Sequence, residues 1–174
     1  FNLGNISIPK QKFGEILNET GNVFASGKFS GILGLAFPKM AAYGITPVFD
    51  SIIKKKLLKK NIITFYYSVD SMSDGQITLG FINKQRFSGA LKYYKVIDKF
   101  YWTIKLDDIL VNGKSLNLCP LGGCKAVVDT GTSLITGPTH QLRKLLKAIP
   151  VKSDCSCYEK APKITFVLNG DKYL

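Results

Sequence analysis

The chain has 174 residues, 45% of them hydrophobic and 11% aromatic, which is enough for a sizeable core and too apolar for a disordered segment. Its formal net charge is +12, from 24 basic residues that are all Lys except Arg86 and Arg143. The lysines are scattered rather than interleaved with Arg and aromatic residues, so the charge reads as a solvated surface and argues against a nucleic-acid interface. No apolar run approaches the roughly 18 residues that span a bilayer.

The chain opens in FNLGNISIPK, a strand already under way, with neither an initiator Met nor a signal peptide, as expected of a mature protein or a piece of one. Residues 3–8 and 11–17 are expected as two strands joined around Pro9-Lys10. Residues 18–28 are polar and Gly-rich, hence loop. Asn5-Ile6-Ser7 and Asn18-Glu19-Thr20 are glycosylation sequons, compatible with secretion and common by chance. The run from Phe29 to Pro38, FSGILGLAFP, is apolar and bounded by glycines, and suits a buried strand. Thr46-Pro47 opens a helix, Thr46 as N-cap and Pro47 in the first turn. Phe49, Ile52, Ile53 and Leu57 share one face of it. Lys54, Lys55, Lys56, Lys59 and Lys60 take the other side and the C-terminal end, where cations suit the helix dipole.

Residues 62–69 are β-branched and aromatic and read as a strand. Residues 71–75 form a polar turn and 76–79 return, closing a hairpin at Gly80. Residues 88–96 are expected as a further strand. Residues 101–110 alternate moderately, and Asn112-Gly113 is a strong hairpin signal before 114–118. Residues 139–148 carry a helical pattern with Leu142, Leu145 and Leu146 on the inner face, and His140 at its exposed start reads as a surface residue. A last strand over 163–168 turns at Asn169-Gly170 into a return over 172–174. The fold class is therefore mainly β, with two short helices.

Four Cys sit in two close pairs, Cys119/Cys124 and Cys155/Cys157. The spacing does not suit a common zinc site, and the one His, His140, is near neither pair. Disulfides are the better reading and imply an oxidising compartment. A bridge between Cys155 and Cys157 would be geometrically strained.

The stretch Lys125 to Pro138, KAVVDTGTSLITGP, carries the chemistry. Ala126-Val127-Val128 delivers one carboxylate, Asp129, into a tight turn made by Thr130-Gly131-Thr132-Ser133, and Leu134-Ile135 carries the chain away. The apolar flanks read as two short buried strands. Gly131 lets backbone amides approach the carboxylate, and the hydroxyls of Thr130, Thr132 and Ser133 can donate to it. An Asp so placed is held, oriented and kept partly from water. Asp-Thr-Gly by itself is ordinary turn chemistry; the fourteen-residue frame is far more specific.

That frame resembles the second active-site loop of the pepsin-like aspartic proteases. FSGILGLAFP is similar to the family's FDGILGLAYP, and GITPVFDSII to its Gly-x-Thr-Pro-Val-Phe-Asp segment. Tyr101-Trp102, the Cys119-Pro-Leu-Gly-Gly-Cys124 loop, the Cys155 to Pro162 spacing and residues 164–174 extend the resemblance along nearly the whole chain. It implies a bilobal, mainly β fold, incomplete in both lobes. Residues 1–90 would belong to the N-terminal lobe after its flap and the inter-lobe region, and 91–174 to the C-terminal lobe with the second Asp loop.

The resemblance also implies a first Asp loop and flap upstream of Phe1 and further scaffold downstream of Leu174, so the missing flanking segments are expected as partners. It implies an aspartic endopeptidase acting on peptides or proteins, with no cofactor and no metal. Asp129 would be one of two catalytic carboxylates; Thr130 would brace the loop, and Gly131, Thr132 and Ser133 would line the substrate backbone. Phe29 and Ile32 would border one apolar substrate pocket, Tyr101 and Val127 another; Ile32-Leu33-Gly34 would stiffen the first Asp loop, in its own lobe. It implies a Cys119–Cys124 disulfide, a downstream mate for Cys155 and no counterpart for Cys157, leaving one or both unpaired. A secretory or acidic organelle, or the exterior, is the implied location. The Lys-rich, Arg-poor composition resembles the product of the AT-rich codon usage of malaria-type parasites, which points to a relative of their secreted plasmepsins, and the +12 charge departs from the acidic pepsins and their strongly acid working range. The alternative function is a non-catalytic pepsin-fold binding protein with a decayed carboxylate pair. A one-motif protease that dimerises is disfavoured, because Ile32-Leu33-Gly34 precedes the Asp loop instead of following it.

Overall fold

Turn chemistry and hydrophobic alternation position most of the chain. The structure, a computed structural model, describes all residues except 19, 21–26, 71, 72, 153, 155 and 157. The sequon at Asn18, most of the loop over 18–28, part of the turn over 71–75 and the pairing of Cys155 and Cys157 thus fall wholly or partly outside the described residues. The secondary structure is mainly short strands with two α-helices, and the chain divides into two compact units, Phe1–Leu91 and Lys92–Leu174.

In the first unit, β1 (Asn2–Leu3) pairs antiparallel with β2 (Ile6–Ser7). The turn is Gly4-Asn5, with Gly4 at φ +56°, a conformation costly to any residue with a Cβ. The expected hairpin around Pro9-Lys10 is thus replaced by a tighter one over residues 2–7. Residues 11–17 form no strand, because Gln11 is drawn to the start of a helix: its Nε2 donates to the Thr46 carbonyl at 2.9 Å and its Oε1 accepts from Ser51 Oγ at 2.8 Å. That helix, α1, runs Val48–Lys54 with Pro47 as N-cap and no side-chain cap, so Thr46 does not fill the expected role. Phe49 and Ile52 are buried with Ile8, and Ile6, Leu35, Ile53, Leu58, Ile63 and Leu79 pack around them. Leu57 lies beyond the helix end and is exposed. β3 (Ile63–Tyr66) and β4 (Gln76–Leu79) form the expected hairpin.

The run over 29–38 is not the buried strand expected. Residues 29–37 have no regular secondary structure, and Phe29 and Ile32 are 56% and 77% exposed. An apolar run becomes a strand only beside another edge, and the sheets formed by the described residues do not include this one. Leu35 alone of that run's leucines packs on the Phe49–Ile52 cluster.

Residues 88–95, which run from the end of the first unit into the start of the second, are likewise not a strand. Gly89 sits at φ +77°, and the Lys92 and Tyr94 side chains both bond to Asp171, the tyrosine hydroxyl at 2.8 Å. Pairing starts only at β5 (Val96–Lys99), which lies against β6 (Trp102–Leu106). The alternating run over 101–110 breaks at Asp107 into β6 and β7 (Asp108–Val111), which belong to different sheets. A four-stranded antiparallel sheet is ordered β11-β10-β7-β8, with β8 Lys114–Ser115, β10 Ile164–Leu168 and β11 Asp171–Tyr173. Its two hairpins turn at Asn112-Gly113 (φ 48° and 78°) and Asn169-Gly170 (φ 49° and 82°), the paired positive values of a two-residue type I′ turn. The other sheet is ordered β5-β6-β9, with β9 Cys124–Val127. Helix α2 (Thr139–Ala148) buries Leu145 against Val111 and Leu118, while Leu142 is half-buried and Leu146, expected inward, is 64% exposed.

Candidate active site

The site is built on β9. The Cys119–Cys124 disulfide closes a short loop at the first residue of this strand. Inside that loop Gly123, at φ +89°, passes so close to β6 that a Cβ there would lie 2.7 Å from the Leu106 carbonyl oxygen. β9 then runs antiparallel to β6, from Cys124 opposite Leu106 to Val127 opposite Thr103. The Val128 amide adds one more rung, donating to the Trp102 carbonyl at 3.1 Å. Asp129 follows, where the chain leaves the sheet.

The turn closes on the aspartate itself. The Gly131 amide donates to Asp129 Oδ1 at 2.8 Å, and the Thr132 hydroxyl donates to Oδ2 at 2.5 Å. The Thr132 amide donates to the Asp129 carbonyl at 3.3 Å. A Cβ on Gly131 would stand 3.2 Å from Oδ1, so a side chain there would press on the oxygen that the amide serves. Among the described residues the hydroxyls of Thr130 and Ser133 make no bond to the carboxylate. The Thr132 hydroxyl first, and the Gly131 amide second, hold the Asp129 carboxyl below the ordinary value of 3.8, with desolvation a smaller opposing effect. Asp129 is exposed within its unit, not partly shielded as the turn pattern suggests. Val127 and Val128 are 46% and 58% exposed; Leu134 and Ile135, 77% and 63% exposed, form no second strand, because no edge lies beside them among the described residues.

A groove of about 910 Å³ runs along this edge of the second unit. Tyr101, Ile104, Val127, Asp129, Thr132 and Leu142 are among its walls. Asp129, Thr132, Tyr101 and Val127 therefore share one concavity, whereas Phe29 and Ile32 belong to the first unit. Ile104 and Leu106 also line the groove and were not singled out in the sequence; their two-residue spacing on β6 is the available signal. Among the described residues no group of three or more His, Cys, Asp or Glu side chains is placed to hold a metal ion. No helix among them is long and apolar enough to cross a membrane.

The model of the family described as eukaryotic aspartyl protease matches residues 1–174, the whole chain. The chain belongs to that family. Cathepsin D of Gallus gallus is 40% identical over 182 residues, covering 98% of this chain and 45% of that protein. Cathepsin D of Rattus norvegicus is 40% identical over 98% of the chain and 44% of its own length. Cathepsin E-B of Xenopus laevis is 40% identical over 97% and 44%. This aspartyl protease chain thus spans a little under half the length of the relatives it matches.

Proposed function

We propose that the protein containing this chain is an aspartic endopeptidase and that Asp129 is one of its two catalytic carboxylates. The observation that carries the reading is the turn in which a backbone amide and a hydroxyl both donate to Asp129 at the edge of a groove. A carboxylate gripped on both oxygens has a fixed orientation, as a proton-transfer group requires. A stretch of the polypeptide outside these 174 residues supplies the second carboxylate. With like charges about 3 Å apart the pair shares one proton. The ionised member takes a proton from the attacking water; the protonated member donates to the scissile carbonyl oxygen and steadies the developing oxyanion. The apparent pKa values belong to the pair.

In this reading Thr132 and Gly131 orient Asp129, Thr130 braces the loop, and Ser133 lies along the substrate backbone. Tyr101 and Val127 form one apolar substrate pocket, and Phe29 and Ile32 contribute to another. The two units correspond to parts of the two lobes. The substrates are peptides or proteins. The Cys119–Cys124 disulfide supports passage through an oxidising, secretory compartment.

The test is Asp129→Asn in the natural full-length polypeptide. Asn keeps an oxygen for the Gly131 amide and a group that can bond the Thr132 hydroxyl, so the fold is retained. Peptide turnover is expected to vanish while far-ultraviolet circular dichroism is unchanged; retained turnover counts against the role. The 174-residue chain alone, with one carboxylate of the pair, is expected to hydrolyse no peptide. Cleavage by it that is lost in Asp129→Ala would overturn the two-carboxylate scheme. A natural protein that binds peptides without hydrolysing them would favour the binding-protein alternative.

A further inference from the structure

We propose that Asn5 is a site of N-linked glycosylation. Asn5-Ile6-Ser7 has the acceptor pattern, and the fold gives each of its residues a suitable place. Asn5 is the second residue of the two-residue turn between β1 and β2, the tip of the hairpin. Gly4 takes the positive φ that this turn requires, so Asn5 does not. Alternation along β2 then sorts the side chains. Ile6 and Ile8 go inward, Ile8 fully buried with Phe49 and Ile52, and Ile6 packed against them. Asn5 and Ser7, the two residues that glycosyl transfer reads, are exposed. Among the described residues the Asn5 carboxamide makes no hydrogen bond, so modifying its nitrogen breaks none.

The donor class is an oligosaccharide carried on a polyprenyl diphosphate. The Asn5 Nδ2 attacks C1 of the reducing-end sugar; the C1–N bond forms and the C1–O bond to phosphate breaks. The lipid diphosphate leaves with the electron pair, and the nitrogen loses one proton. No redox step is involved. Transfer precedes folding, and Asn5 is exposed within the first unit, so a glycan there displaces none of that unit's buried side chains.

The inference rests on the secretory passage proposed above. The natural full-length polypeptide is therefore expressed in a eukaryotic host behind a secretion leader, and only protein recovered from the medium is analysed. Peptide N-glycosidase should convert Asn5 to Asp, read by mass spectrometry of the peptide that contains it, with a matching gain in electrophoretic mobility. Asn5→Gln and Ser7→Ala should each lose one glycan step, and Ser7→Thr should keep it; the three variants differ in sequon and not in core packing. Unconverted Asn5 in the secreted protein, whether or not Asn18 carries a glycan, overturns the proposal. So does a glycan step that survives Ser7→Ala. Peptide turnover, measured separately, judges the protease reading and is independent of either result.

Discussion

Replacing Gly123 by Ala should loosen the strand that delivers Asp129, and Gly122 beside it supplies the control. Both glycines have positive φ, +106° at Gly122 and +89° at Gly123. Each substitution therefore meets the cost of a Cβ in that region, roughly 1–2 kcal/mol. The surroundings differ. A Cβ on Gly122 meets nothing within 4 Å, whereas one on Gly123 would lie 2.7 Å from the Leu106 carbonyl oxygen and 2.8 Å from Lys105 Cε. The lysine can swing away; the carbonyl is backbone of β6 and cannot move without disturbing the rungs to β9. Forcing such an overlap adds about 1–3 kcal/mol. Gly122→Ala should thus cost about 1–2 kcal/mol and Gly123→Ala about 2–5 kcal/mol. Equilibrium urea unfolding of the full-length, disulfide-intact protein measures both. Peptide turnover should fall in Gly123→Ala more than in Gly122→Ala, since the shift propagates along β9. Equal losses, within about 0.5 kcal/mol, would refute the claim that close approach to β6 is what requires glycine at 123.

Thr132→Val removes the first hydrogen bond to the Asp129 carboxylate and keeps the side-chain shape. A hydrogen bond to a charged group is worth about 1.5–3 kcal/mol when buried, and exposure reduces it, so turnover should drop by about tenfold or less in a steady-state peptide assay. The sign of the pH effect follows from the lowered carboxyl. Stability from Asp129 is fully present above its unfolded value of 3.8 and is lost as pH falls through the lower folded value. Acid unfolding curves of the 174-residue chain and its Thr132→Val variant, in which Asp129 titrates without the second carboxylate, should therefore draw together below pH 3.8, and a gap that widens there would contradict the sign. Removing the Cys119–Cys124 disulfide by double substitution to Ala should cost about 2 kcal/mol, because the closed loop is short. Urea unfolding under oxidising conditions measures it, and a cost near zero would mean the loop holds itself closed without the sulfurs.

Much of the second unit was legible because its signals are local. Asn112-Gly113 and Asn169-Gly170 specify their own turns, and the Leu145 face of α2 follows from helical period. The Asp129 turn was legible for the same reason, since Gly131 and Thr132 reach the carboxylate from two and three residues away. Residues 29–37 and 134–135 were not. An apolar run announces that burial is favourable without saying against what, and neither segment meets a strand edge among the described residues. Residues 88–95 lost their strand to a glycine at positive φ and to bonds with Asp171, far along the chain. The demand on Gly123 was hidden in the same way, because the atom that excludes a side chain is on Leu106.

Cys124 is at once half of a cystine and the first residue of β9, so sulfur chemistry and carboxylate placement share one short piece of backbone. With that thiol unoxidised, the aspartate rides on a strand held by its rungs to β6 without the cystine. In the function proposed above, oxidation of that thiol therefore bears on how firmly the catalytic carboxylate is held.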